Sequence, residues 1–314
     1  GLDIYQDMLI VRSEDGTATS NTNLDTAHNA DADITAIYTD GTTTALTVAS
    51  GKELHIWTGD LYTPGGNITA GGDIENNGTI DISTNAVTIA GNLDNASTWT
   101  DAAGASITFN GTAAQQVNIG GSAINSDIQN SNTSATVTVV TNALNIGAND
   151  LTIDASAQLN TAGLNLTATG TFANNGTLGV NGSETITLTM DTDSGTVQFL
   201  GDGTGAATTH NINALSNTYY SLFINDVSGS NQDTFQATAG LTINNELSVQ
   251  DETLDLNNQT LDVNGQLDIQ AAGTFDADVG NAAATPAITG AGNFVNLGTF
   301  TARQSTVTFD GTGT

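Results

Sequence analysis

The sequence contains no cysteine, so neither a disulfide framework nor a thiolate metal site can organise the chain. Its basic residues number three, Arg12, Lys52 and Arg303, against 33 acidic ones, and the formal charge is −30. A chain with that imbalance repels nucleic acid and anionic membrane surfaces, and it attracts cations and stays soluble. Nucleic acid is thereby excluded as a partner. No run of 18 apolar residues occurs, so no membrane insertion is expected. Aromatic residues make up 5% of the chain and charged residues 11%, beside 35 glycines and abundant Thr, Asn, Ala and Asp. Such a composition would suit a disordered chain. Periodicity argues otherwise, because a disordered segment has no reason to hold apolar residues in register.

The pattern is plainest in "LTINNELSVQDETLDLNNQTLDVNGQLDI". Here an apolar-polar-apolar phrase starts at Leu241, Leu247, Leu254, Leu261 and Leu267. On a helix, positions i and i+2 lie about 200° apart, on opposite sides. A heptad seam would need i and i+3 or i+4. The intervening Thr, Asn, Asp and Gly favour turns over helix interiors. On a strand, i and i+2 share a face. The Leu-x-Ile pairs therefore point inward, and Thr242, Ser248, Asp255, Asp262 and Asp268 point outward. On this reading Asp255→Asn is nearly silent. Very short strands at a regular step, each followed by a polar turn, predict the coils of an all-β parallel β-helix, or β-solenoid. Three steps make a coil of roughly 20 residues, and the chain would hold on the order of 15 coils.

A longer repeat overlies the short one. "ITFNGT" (107–112), "VQFLGDGT" (197–204) and "VTFDGT" (307–312) are versions of one motif, with Phe109, Phe199 and Phe309 in matching places. Upstream of each stands a second phrase: "NNGTI" (76–80), "NNGTL" (174–178) and "NLGTF" (296–300), with "NASTW" (95–99) as a further variant. Residues 43–314 thus read as a solenoid of nearly three long repeats, about 43–133, 134–233 and 234–314. Residues 1–42 lack these phrases and read as a cap or assembly segment. The stretch 206–236, with Tyr219, Tyr220, Leu222, Phe223 and Ile224, reads as bulkier coils or a loop off the stack. The chain opens at Gly1 with no signal-like segment, which suits a processed product or a piece of a longer protein.

Chemistry is hard to locate. His28, His55 and His210 share no metal-ligand spacing and read as lone surface residues, with His55 in an outward position. In "DTDSGTVQFLGD", Asp191, Asp193 and Asp202 fall at positions 1, 3 and 12 of a calcium loop, but Gly195 and Thr196 stand at positions 5 and 6. Calcium is the one ion the sequence raises, and no cofactor is called for. Parallel β-helix enzymes that act on acidic polysaccharides need basic residues or a clustered carboxylate set. Three scattered basic residues argue against a lyase. Asp is so common that no hydrolytic pair can be singled out. The chain reads as a non-enzyme, with a polysaccharide-binding or polysaccharide-degrading β-helix as the alternative.

Together, "TFDGTGT", "NNGTL" and the Leu241–Ile269 stretch resemble the repeat regions of large secreted bacterial β-solenoid proteins. These include filamentous-haemagglutinin-like adhesins and repetitive surface-filament proteins of Gram-negative bacteria. The likeness covers residues 43–314. It implies a parallel right-handed β-helix, secretion to the cell surface, and a structural or adhesive role. The partners it implies are copies of the chain itself, or glycans of a host or neighbouring cell. The sequence ends just inside the third copy of the long motif, so an unpaired coil edge is expected there. Leu2 with Ile4 and Leu9 with Val11 repeat the short phrase. Residues 1–12 of one copy are therefore expected to pair with the final coil of the next, around Phe309, and to build a filament.

Overall fold

The computed structural model describes residues 45–48, 50–56, 58, 61–203, 206–226 and 233–311, and the backbone of five earlier strands: Leu2–Tyr5, Met8–Arg12, Asn23–Leu24, Ile34–Thr35 and Ile37–Tyr38. His28 and Trp57 lie outside the described residues. Short parallel strands stack as a β-solenoid of about 12 turns with roughly 21 residues per coil. The coil length matches the sequence reading, but the turns are fewer. Several coils are longer than the short phrase suggested: Val197 lies beside Leu222, and Leu222 beside Leu247. Among the described residues there is no α-helix, and one 3-10 turn at Ile212–Ala214. The chain divides into two compact units, residues 1–160 with 164–172, and residues 161–163 with 173–314.

In the first unit the apolar phrase becomes rows of side chains. Leu46, Ile68, Val87, Ile107, Ile128 and Leu151 stack in register, all buried. A second row on the same strands holds Val48, Ala70, Ile89, Phe109, Asn130 and Ile153. Between the two rows, on the outer side of the strands, Thr47, Thr69, Thr88 and Thr108 form a ladder. Another sheet stacks Leu54, Ile74, Leu93 and Val117. β-Branched and Leu side chains suit such rows because each packs on its counterpart about 4.8 Å away along the stack.

The long-repeat phrases turn out to be corner devices. Asn76 of "NNGTI" and Asn95 of "NASTW" are in register and buried. Asn76 Nδ2 donates to Asn95 Oδ1 at 2.6 Å and to the Thr98 carbonyl at 2.8 Å, and Asn95 Nδ2 donates to the Ile119 carbonyl at 2.8 Å. Asn76 Oδ1 accepts from the Gly78 amide at 3.2 Å, closing an Asx turn. The Asn therefore satisfies the backbone where the chain bends inward of solvent. The matching glycines of the other phrase, Gly111 and Gly311, sit where a Cβ would lie 2.3 Å from the Ala90 carbonyl oxygen and 1.8 Å from that of Ala291. Only glycine lets successive coils close that far.

In the second unit one sheet comprises Thr209–Asn211, Thr234–Gln236, Thr253–Asp255, Thr274–Asp276 and Thr299–Thr301. Its five leading threonines are in register. Its middle residues, His210, Phe235, Leu254, Phe275 and Phe300, form the inward row. The stretch 206–226 belongs to the stack: Thr218–Ile224 lies between Thr196–Phe199 and Leu241–Val249.

The inward assignment of the Leu-x-Ile pairs holds, but the outward residues need correction. Thr242 and Asp262 are half-buried, whereas Ser248, Asp255 and Asp268 are buried. Asp255 is a corner residue. Its Oδ1 accepts from the amides of Asn257 at 2.8 Å and Val279 at 3.0 Å, and its Oδ2 from Gln236 Nε2 at 2.9 Å. An Asn there cannot accept from Gln236 through its own amide nitrogen, so the substitution is not silent. Asp268 is covered by Gln270, which donates to it. Ser248 lies in register between Phe223 and Asp268.

Leu2–Tyr5 and Met8–Arg12 pair with each other, antiparallel, with Leu2 beside Val11 and Ile4 beside Leu9. Met8–Arg12 also runs parallel to Ile37–Tyr38, so Leu2–Tyr5 is the edge of that three-stranded sheet. Phe109 and Phe199 are buried, and Phe309 is 61% exposed on Thr306–Phe309, which pairs with Ala287–Gly290 on one side.

Candidate functional site

Two histidines that read as surface residues are instead buried among carboxylates. In the first unit His55 does take the outward position of Leu54–Ile56, beside Glu75 of the next coil. Its Nδ1 lies 3.3 Å from Glu53 Oε1 and 3.5 Å from Glu75 Oε2, and its Nε2 lies 3.2 Å from Asn77 Nδ2. These neighbours close over the ring and bury it.

In the second unit His210 points inward. The ring stacks on Phe235, with centroids 5.2 Å apart and planes at 25°. It is 2% exposed, and the Asp233 beside it is 0% exposed. His210 Nε2 lies 3.2 Å from Asp233 Oδ2. Asp233 Oδ1 accepts from the Thr208 amide at 2.8 Å, and Oδ2 from the Asp202 amide at 3.4 Å. Asp202 Oδ2 accepts from Thr208 Oγ1 at 3.0 Å. One ligand-type atom from each of Asp202, His210 and Asp233 lies within 4.8 Å of the others. Sequence reading missed this site because it treated each His alone. Aligning "THN", "TFQ", "TLD", "TFD" and "TFT" by their leading Thr would have put His210 in the inward column.

The expected calcium loop does not assemble. Asp191 is a turn residue: its Oδ2 accepts from the Asn174 amide at 2.8 Å and from Ser194 Oγ at 3.1 Å, and its Oδ1 from the Asp193 amide at 3.1 Å. Asp193 lies beside it, and a side-chain hydrogen bond with Asp191, then the Asp191 charge, raise the Asp193 carboxyl above its usual range. Asp202 belongs with His210 and Asp233. Among the described residues the two ligand-type clusters contain neither Asp191 nor Asp193. A turn followed by the strand Thr196–Phe199 cannot reproduce the single tight loop that calcium positions 1, 3 and 12 require.

Next to the His210 cluster, Glu252 adopts a left-handed backbone with φ 61°. Burial, and then the charges of Asp251, Asp226 and Asp233, push its carboxyl from the usual 4.5 up to about 7. The folded chain thus holds a proton that the unfolded chain releases, so stability falls as pH rises from about 4.5 to about 7. In EDTA, urea denaturation is expected to show a more stable protein at pH 5 than at pH 8. Glu252→Gln should flatten much of that difference and raise stability at pH 8. An unchanged pH dependence in the variant would contradict this.

One basic residue is engaged by the acidic corners. Arg303 clasps Asp276 through Nε to Oδ1 at 2.8 Å and Nη2 to Oδ2 at 2.5 Å. Its guanidinium also lies in the field of Asp278 and Asp255. Arg303→Gln is expected to lower the melting temperature, more at low ionic strength than at high. Equal melting of the two proteins in low salt would count against the pair.

No family model matches the chain, and no curated protein or solved structure matches it.

Proposed function

We propose that the protein is an extracellular structural module, a non-catalytic β-solenoid segment of a surface filament or adhesin that assembles head-to-tail with copies of itself. The observation that carries this reading is a pair of threonine ladders on the outer faces. Thr47, Thr69, Thr88 and Thr108 repeat one residue type over successive coils, as do Thr209, Thr234, Thr253, Thr274 and Thr299. A catalyst or glycan receptor concentrates different side chains at one place, whereas a scaffold repeats the same ones. The charge of −30 supports a soluble, cation-rich setting. Among the described residues Leu2–Tyr5 pairs on one side of its sheet only, which leaves it open to strand addition. Such edges template another strand, and a heterologous contact that does not close grows a filament.

Sedimentation velocity over a range of concentrations tests this. The 314-residue chain should form species well above its 31.9 kDa mass, and deletion of residues 1–12 should leave folded chains that sediment as monomers. A chain that stays monomeric at every concentration, or a deletion that assembles unchanged, would refute head-to-tail addition.

A further inference from the structure

The geometry points to a divalent-metal site in the second unit, with Asp202, His210 and Asp233 as ligands to a transition cation of the zinc class. This goes beyond the structural role, which needs no ion.

Four observations converge. First, His210 occupies the place that the other rungs give to Phe235, Leu254, Phe275 and Phe300. An imidazole in an apolar row is costly unless its nitrogen is used. Second, its Nε2 is turned toward the fully buried Asp233, 3.2 Å from Oδ2. Ligands held about 2.0–2.1 Å from a tetrahedral zinc stand roughly 3.3 Å from one another, so the pair already has the spacing of two ligands on one ion. Third, the donor set is one imidazole nitrogen with carboxylate oxygens. Calcium and magnesium take oxygen ligands, whereas imidazole suits zinc, cobalt and nickel. Fourth, Asp202 and Asp233 both reach this imidazole, and Asp233 shares the field of Glu252 with Asp226 and Asp251. Asp226 presses its carboxylate so close to Gly201 that a Cβ there would lie 2.6 Å away. A divalent cation would bring two positive charges to the place where these carboxylates converge.

The cation would act as a clamp. Asp202 and His210 belong to the coil of Thr209–Asn211, and Asp233 immediately precedes Thr234–Gln236, the next rung. A shared ion ties the two rungs together at a corner where the backbone amides of Asp202 and Thr208 already reach to Asp233. Ligation through Nε2 requires the His210 proton on Nδ1, which replaces the present Nε2 contact with Asp233 by a common bond to the metal.

The competing account is a plain buried histidine–aspartate pair, and titration separates the two. The full chain, dialysed against EDTA and then buffer, is titrated with ZnCl2 by calorimetry, and in parallel with CoCl2 by visible absorption. Saturable binding is expected, with a rise in melting temperature and a cobalt d–d band. Asp202→Asn and His210→Gln should each weaken the binding at this site by at least about tenfold. His55→Gln, in the other cluster, should leave the cobalt band of this site in place. CaCl2 at the same concentration should not compete. The half-exposed Asp202 makes Asp202→Asn the decisive variant should His210→Gln fail to fold. The proposal is overturned by the absence of saturable binding, by Asp202→Asn binding as the parent does, or by calcium displacing zinc from the site.

Discussion

Leu256→Asp is expected to lower stability by several kcal/mol, because it places a carboxylate in the dry interior of a coil. Leu256 is fully buried, and its amide donates to the Asp276 carbonyl of the next coil at 2.9 Å. The backbone cannot turn the side chain outward without giving up that bond. Domains are typically stable by about 5–15 kcal/mol, so a loss of this size takes a large fraction of the total. The damage should shrink at low pH, where the new carboxyl can enter the interior uncharged. The contrasting change is Asp262→Asn, at a half-buried outward position, which should fall within about 0.5 kcal/mol of the parent. Asp255→Ala should lie between the two, costing about 1–3 kcal/mol by stripping the acceptor from the amides of Asn257 and Val279. Urea denaturation of the three variants checks the order. Equal loss in Leu256→Asp and Asp262→Asn would mean that the inside and outside of the coil are wrongly assigned.

The buried asparagine pair gives the second large effect. Asn95→Leu removes the acceptor of the 2.6 Å bond from Asn76 and the donor to the Ile119 carbonyl. Leaving buried polar partners unpaired should cost about 2–4 kcal/mol. Asn76→Leu likewise orphans Asn95 Oδ1 and the carbonyl of Thr98. The double replacement removes both amides at once, so its cost should be clearly less than the sum of the single costs. Strict additivity in the cycle would show that the two side chains do not form one ladder.

Much of this fold could be read in the sequence, for a physical reason. A solenoid pairs each coil only with its neighbours, so the local phrase at Leu241, Leu247, Leu254, Leu261 and Leu267 reports directly on the inward rows. Two kinds of residue escaped the same logic. Asp255 alternates correctly in polarity, yet it sits at a corner, where a short side chain folds back on the backbone and is covered by the next coil, and Asn76 takes the inward place after Ile74, in register with Ile56, held by a turn of the same kind. Burial of that kind depends on the coil above, which period-two alternation does not encode. His210 was missed for the opposite reason. It is a polar residue in an inward column, and only the register with Phe235, Leu254 and Phe275 exposes the substitution. Asp191, Asp193 and Asp202 matched a calcium loop in spacing, but the intervening strand Thr196–Phe199 carries Asp202 away from the other two.

Negative-stain electron microscopy of the 314-residue chain across a concentration series tests the proposed role most directly. An assembling scaffold predicts unbranched filaments of constant width that lengthen with concentration and vanish when residues 1–12 are removed. Discrete particles of monomer size at every concentration would contradict it.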